Sequence, residues 1–319
     1  MPVIVPIASG KGGVGKTITA LHLALGLASH GKAVVLVDGD SGSSNLHTLL
    51  GVPKEQPGIG SIIQRQERHI SDLILATSAD HLFFIPGDGW NTGTSNPPYW
   101  VKRRLGKELQ ELVADFVILD LSPGTGLFTL DMFLLSNFGL VVTTPEIPSL
   151  LNSYSFIKHA ALRSMQQLTP RNTPEGAFFE NLHRRNIGSK GTTLPHLIEE
   201  LHSQNPELAE RCSEQLTLLR PQLVLTLGTN PKDLDFGSTL RDVTMAHLGV
   251  KSDFIGFVPW YAQMRSLVNG KNNLFSQAPD SSTAKSYRHL AQRVLSFENS
   301  VTNRYIPPDL EELGKESQF

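Results

Sequence analysis

The chain has 319 residues, a formal net charge of −2, and hydrophobic and charged fractions of 39% and 18%. That is an ordinary globular composition whose length fits two domains or one large α/β domain, and its near-neutral charge excludes a general basic field for nucleic acid or anionic lipid, leaving local patches only. One cysteine, Cys212, excludes a disulfide framework within the chain and any cluster or zinc site built from several cysteines, and fits a reduced cytoplasmic compartment.

Taken in chain order, the predicted strands are Val3–Ala8, Ala33–Asp38, His81–Pro86, Phe116–Leu121, Gly139–Thr144, Leu223–Gly228 and Phe254–Pro259. Each is a short apolar run rich in β-branched residues, followed by turn residues and usually by a helical pattern. Repeated βαβ units of this kind predict an α/β fold, doubly wound, with a mostly parallel sheet of about seven strands and helices on both faces. The first helix is expected from Thr17 to His30, with Leu21, Leu25 and Ala28 at helical spacing and Gly31 ending it. Pro6 is awkward in the first strand, because it removes a donor from a strand expected at the sheet centre. No run of about 18 apolar residues predicts a membrane span. The N-terminus enters a strand within a few residues and lacks the features of a signal peptide.

Two segments depart from the βαβ rhythm. Residues 169–222 are too many for an ordinary connection and contain "LPHLIEELHSQNPELAERCSEQLTLL", a helical pattern with Pro195 near its start. They are expected to form a helical insertion on one domain of residues 1–297; an excursion with no role is the plainer reading. Residues 298–319 are polar, include Pro307 and Pro308, and are expected to be a flexible tail.

The chemistry concentrates in "SGKGGVGKT", Ser9 to Thr17. Gly10, Gly15, Lys16 and Thr17 fit G-x-x-x-x-G-K-[ST] between a strand and a helix. In such a loop the backbone of Gly10, Lys11, Gly12, Gly13, Val14 and Gly15 turns amides toward phosphates, and the helix N-terminus adds positive potential. Lys16 would reach the β and γ phosphates, and the Thr17 hydroxyl would hold Mg²⁺. Lys11 is surplus to this pattern. It cannot easily fold back onto phosphates that its own loop encloses, but it can point outward, across a symmetric interface, to a nucleotide held by a second copy. A solvated surface lysine is the alternative. Asp38 and Asp40 end a strand beside the loop, where a carboxylate can orient water or support Mg²⁺, or simply cap a turn. Asp120 closes an apolar strand, where a buried carboxylate is costly unless it serves an ion or a hydrogen-bond network, so Mg²⁺ is the favoured reading. The histidines lack the i, i+4 spacing of a zinc helix, and no nucleophile elbow occurs.

"KGGVGKT" resembles the deviant Walker A motif of the MinD/ParA family of ATPases, and three further segments extend the resemblance across roughly residues 1–297. "VLVDGDSGSSNLHTLLG" resembles the family's switch I stretch, "FVILDLSPGTG" its Walker B and switch II segment, and "LVVTTPEIPSLLNSYSFIK" the strand and helix that follow. The resemblance implies a P-loop ATPase that takes ATP and Mg²⁺ and closes an ATP-dependent homodimer. It makes Lys11 the residue that crosses between subunits, assigns Asp40 to position the attacking water, and implies a role for Asn45 that the residues alone do not. Ile18 stands where the family usually has Thr or Ser, beside the α-phosphate. Thr226 stands where the family usually has an Asn for the base, so adenine is inherited from the resemblance; Asn230 and Pro259 are the nearby candidates for base contact. The MinD and FlhG-like group is the nearest functional analogy, implying a bacterial switch that acts through an unidentified regulatory or cargo protein to set the placement or number of a cellular structure. A metabolic enzyme that phosphorylates or activates a small molecule, and a DNA- or cargo-partitioning ATPase, remain alternatives. The family's iron–sulfur carriers need a C-x-x-C that one cysteine cannot supply. Arg184, Arg185 and Lys190 could contact DNA but are balanced by nearby acids, giving no strong sign of nucleic acid. "DLEELGKESQF" is acidic and short, so no clear C-terminal amphipathic membrane anchor is expected, although peripheral association is not excluded.

Overall fold

A computed structural model describes residues 1–40, 45–53, 56–63, 69–87, 97–169 and 193–299, together with residues 174 and 179. The expected tail beyond 299 and the basic positions Arg184, Arg185 and Lys190 lie outside the described residues. In chain order the elements begin with β1 (Val3–Ala8), α1 (Lys16–Ser29), β2 (Val34–Gly39), α2 (Leu46–Leu50), α3 (Ile59–Ile63), β3 (Leu75–Ala76) and β4 (Leu82–Ile85). They continue with α4 (Tyr99–Gln110), β5 (Phe116–Leu121), α5 (Leu127–Phe133), β6 (Leu140–Thr143), α6 (Ile147–Gln166), α7 (Leu194–His202) and α8 (Pro206–Leu218). The last are β7 (Gln222–Gly228), α9 (Leu234–Leu248), β8 (Asp253–Pro259), α10 (Met264–Asn269), α11 (Leu274–Gln277) and α12 (Ser282–Leu295).

All seven expected strands are present within a residue at each end. Together with β3 they form one sheet of eight, ordered β3-β4-β2-β5-β1-β6-β7-β8. Every pairing is parallel except β3 with β4. The sequence missed β3 because two residues on a sheet edge carry no period to read. The sheet is covered on both sides, which is why its strands read as unbroken apolar runs. In β1, Val5 and Ile7 pack toward α1 and α12, whereas Ile4 and Ala8 pack toward the side that holds α4, α5 and α6.

Pro6 fits the centre of the sheet because of how β1 pairs. The Val3 N–H donates to the Asp115 carbonyl on the β5 side, and alternation puts position 6 on the β6 side. There the ladder starts only at Ile7, so a missing donor at Pro6 breaks no bond of the β1–β6 ladder.

The described part of the insertion forms two helices where one helical run was expected. Asn205 separates them, its side chain accepting the Leu208 N–H at 3.1 Å as the cap of α8. Pro195 sits in the first turn of α7, where its missing donor costs nothing. Leu197, Leu201, Leu208, Cys212 and Leu216 join the same apolar core as α6 and β7, so these helices pack on the sheet domain. Burying each leucine is worth roughly 1.5–3 kcal/mol.

This order fixes where a ligand can go. From β1 the chain fills one side of the sheet with β2, β3 and β4, inserts β5 between β2 and β1, and then crosses to fill the other side with β6, β7 and β8. The carboxyl end of β1 is therefore a topological switch point, the usual position of a binding crevice in a doubly wound sheet.

Candidate functional site

The loop 9–15 leaves β1 at that switch point and turns directly into α1. Gly15 is the N-cap of α1 with φ of 81°, a left-handed conformation that glycine alone adopts without strain, and no side chain caps the helix. The first amides of α1 are thus left for a ligand, and the helix end favours an anion. Gly10 serves a different need: its Cα faces the α6 backbone so closely that a Cβ would collide with the Asn152 carbonyl. That contact seats the loop against α6.

A cavity of about 590 Å³ opens at the mouth of the loop, within the size range of small-molecule sites. Gly12, Gly13, Gly15, Lys16, Thr17 and Ile18 form one wall, and Asp40, Ser122 and Pro123 the other. Lys16 is nearly buried and its Nζ lies 2.5 Å from Asp120 Oδ1. Burial pushes the Asp120 carboxyl above the usual carboxylate range, while the Lys16 charge and hydrogen bonds from Lys16 and Thr17 pull it down. Asp120 and Asp38 are register partners on β5 and β2, so both carboxylates stand at the same sheet edge beneath the loop. Both Asp38 oxygens accept backbone N–H groups, from Asp40 at 3.2 Å and Leu46 at 3.3 Å, which fixes the strand end. Asp40 lies higher, its Oδ1 accepting the Ser122 hydroxyl at 3.0 Å. Ser122 belongs to the segment after β5, which is itself tied back to β1 by the Gly124 N–H donating to the Ser9 carbonyl at 2.8 Å.

As a donor set, a threonine hydroxyl with one buried and one backbone-braced aspartate suits a hard cation such as magnesium, which prefers oxygen ligands and keeps several waters. The buried lysine and uncapped helix end suit phosphate. The residues therefore fit the magnesium and nucleotide that the motif implies.

Lys11 stands apart from this wall. Its side chain is 47% exposed and its Nζ lies 3.6 Å from Glu146 Oε2, itself 63% exposed, just before α6. At the start of α6, directly after Glu146, Ile147 and Leu151 are exposed at 65% and 64%, and Leu127 at the start of α5 is exposed at 40%.

Other expected residues fall elsewhere. Val14 sends its side chain into the core beneath the loop, 3% exposed, so only its backbone faces the site. Asn230 and Pro259 lie beyond the cavity wall, at the carboxyl ends of β7 and β8. Asn230 caps a short turn by accepting the Lys232 N–H at 2.9 Å. Pro259 is buried opposite Gly228, whose carbonyl accepts the Trp260 N–H. Asn45 precedes α2 without a side-chain cap bond. Thr226, expected near a base, instead turns its hydroxyl to the loop, 2.6 Å from the Val14 carbonyl and 3.1 Å from the Thr143 carbonyl. Sequence reasoning missed this role, because Thr226 lies in a strand 212 residues from Val14 and no local pattern marks the pair. A larger cleft of about 790 Å³ lies between α4 and α5 and contains none of the loop's groups.

A parallel doubly wound sheet with a phosphate loop at its switch point defines a P-loop nucleotide-binding fold. A family model described as an AAA domain matches residues 2–160. The septum site-determining protein MinD of Buchnera aphidicola is 30% identical over 171 residues, covering 52% of this chain and 63% of that protein. The iron–sulfur cluster carrier protein of Escherichia coli is 29% identical over 161 residues, covering 47% of this chain and 40% of that protein. The chain thus spans less than two thirds of the length of either relative. The solved structure of MinD complexed with Mg-ADP from Pyrococcus horikoshii superposes with a TM-score of 0.60 at 18% identity, covering 95% of this chain and all of that one. Over residues 2–160 the chain belongs to the MinD/ParA family of deviant Walker A P-loop ATPases.

Proposed function

We propose that the chain is an ATP-driven switch that binds Mg-ATP, pairs face to face with a second copy, and reopens after hydrolysis. The backbone of residues 10–15 and the Lys16 amine bind the phosphates, with Ile18 against the nucleotide wall and Asn230 and Pro259 toward the base. Thr17 and Asp120 would hold magnesium, with Asp38 supporting it through water, and the cation when bound would neutralise charge on the phosphates. Asp40, braced by Ser122, orients the attacking water.

One observation supports the dimer reading: a half-exposed Lys11 in the phosphate loop pairs with Glu146 at the foot of α6, where Ile147 and Leu151 are exposed. Exposed apolar side chains beside the partner of that cation suit a surface that is covered in one state and open in another. The Lys11–Glu146 pair is a surface ion pair worth at most about 1 kcal/mol, so a triphosphate presented by a second copy displaces it at little cost. The assembled dimer would then present a surface to a regulatory or cargo protein that sets the placement or number of a cellular structure, in a bacterial cytoplasm. Among the described residues no helix is long and apolar enough to cross a membrane.

The alignment with iron–sulfur carriers does not extend to their cargo. The one cysteine, Cys212, is buried in α8 and its thiol is pushed up to about 11, the opposite of an available cluster ligand.

The test is sedimentation and turnover with ATP and magnesium. Slow turnover without a co-substrate, a shift from monomer to dimer, and loss of ATP binding in Lys16→Ala are expected. A chain that binds no ATP would overturn the reading, and turnover that requires a small-molecule acceptor would replace it with a metabolic enzyme.

A further inference from the structure

We infer that Thr226 is a positioning residue for the phosphate loop: its hydroxyl locks the Val14–Gly15 peptide so that the Gly15 N–H points into the cavity. The inference rests on the phosphate-binding role proposed above and names a residue that the loop motif does not contain.

The geometry is compact. Thr226 lies on β7 and is 1% exposed, its side chain directly beneath the loop, where a Cβ on Gly15 would sit 3.7 Å from its Oγ1. Its hydroxyl carries one hydrogen, and both neighbours are carbonyl acceptors. Val14 is at 2.6 Å and Thr143 at 3.1 Å, so the Val14 carbonyl takes the larger share. In a trans peptide the carbonyl and the following N–H point in opposite directions. Holding the Val14 carbonyl down onto β7 therefore turns the Gly15 N–H up, toward the wall formed by Gly15, Lys16 and Thr17.

The loop needs such a lock because of its own composition. Gly15 has φ of 81° and no Cβ, so the backbone freedom that permits this turn equally permits the preceding peptide to flip. A flipped peptide would aim the Val14 carbonyl at the phosphates, replacing a donor with an acceptor where anionic oxygens bind. The Thr226 hydroxyl opposes that flip by supplying a buried donor that only one orientation of the peptide uses. Its second acceptor ties the floor of the loop to the next strand and helix. The Thr143 hydroxyl lies 3.1 Å from Ser149 Oγ, which also accepts the Thr144 N–H, at the start of α6 beside Glu146.

Thr226→Val keeps the branched shape and removes the hydroxyl, whereas Thr226→Ser keeps the hydroxyl and removes the methyl. Calorimetry with inorganic pyrophosphate and with Mg-ATP should show affinity for both falling about tenfold in Thr226→Val, the scale of one buried hydrogen bond. Thr226→Ser should stay within about twofold of the parent. Without ligand, the amide resonances of Gly15 to Thr17 should shift in Thr226→Val while those of β1 keep their parent positions, a local change that general destabilisation would not give. Parent-like pyrophosphate binding in Thr226→Val, or equal loss in Thr226→Ser, would overturn the inference. Failure of the parent protein to bind either ligand would instead refute the phosphate-binding reading. A Gly15 amide resonance unmoved in Thr226→Val would by itself refute the peptide lock.

Discussion

Lowering the pH from 7 to 5 should weaken the packing behind the phosphate loop through one residue, His22. It sits on α1, 2% exposed, stacked on Tyr287 at 4.9 Å between ring centroids and edge-on to Phe275 at 5.7 Å. Its hydrogen bonds fix the neutral tautomer. Nδ1 donates to the Ile18 carbonyl at 2.8 Å, while Nε2 accepts the Leu274 N–H at 3.1 Å. Burial pushes its pKa from 6.5 down to about 4, against a smaller opposing pull from the Ile18 carbonyl. A base with a depressed folded-state pKa is protonated first in the unfolded chain. Stability is therefore full above 6.5 and is lost as the pH falls toward 4. At about 1.4 kcal/mol per pH unit, the loss between pH 7 and pH 5 is about 2 kcal/mol. Urea unfolding of the parent and of His22→Gln across that range isolates the effect, because other titrating groups are common to both. The variant should be the less stable at pH 7, with the gap closing by about 2 kcal/mol at pH 5. A gap that stays constant with pH would refute the reasoning.

Other perturbations read other parts of the site. Asp40→Ala should bind Mg-ATP normally but hydrolyse it about 100-fold or more slowly, the range for loss of a group that orients the attacking water. Parent-like turnover in a steady-state phosphate-release assay would remove Asp40 from that role. Gly10→Ala forces a Cβ onto the Asn152 carbonyl of α6 and should lower nucleotide affinity by displacing the loop. Calorimetry that finds the parent affinity would show that α6 does not seat the loop.

The sequence was most informative where a signal is local. The turn from β1 to α1 was legible because glycines, a lysine and a threonine occur at fixed spacing, and because strand and helix periods change across them. The parallel sheet was legible because strands covered on both faces cannot alternate polar and apolar residues. Pairings between distant residues left no such trace. The contacts of Thr226 with Val14, and of His22 with Leu274, join positions 212 and 252 residues apart, and nothing in either neighbourhood announces the partner. Val14 looked like part of the binding loop, yet a valine there has an apolar core to fill, and its side chain does so. The loop itself said that Lys11 exceeded the motif and could point outward to a second copy, with a solvated lysine as the alternative, and the resemblance implied the crossing between subunits. In the structure Lys11 is half-exposed and pairs with Glu146 just before α6.

Sedimentation velocity of Lys11→Ala with magnesium and a non-hydrolysable ATP analogue is the most direct test of the switch. The account predicts that the parent sediments as a dimer, whereas the variant remains a monomer that calorimetry shows to be loaded with nucleotide. A loaded variant that dimerises like the parent would contradict it.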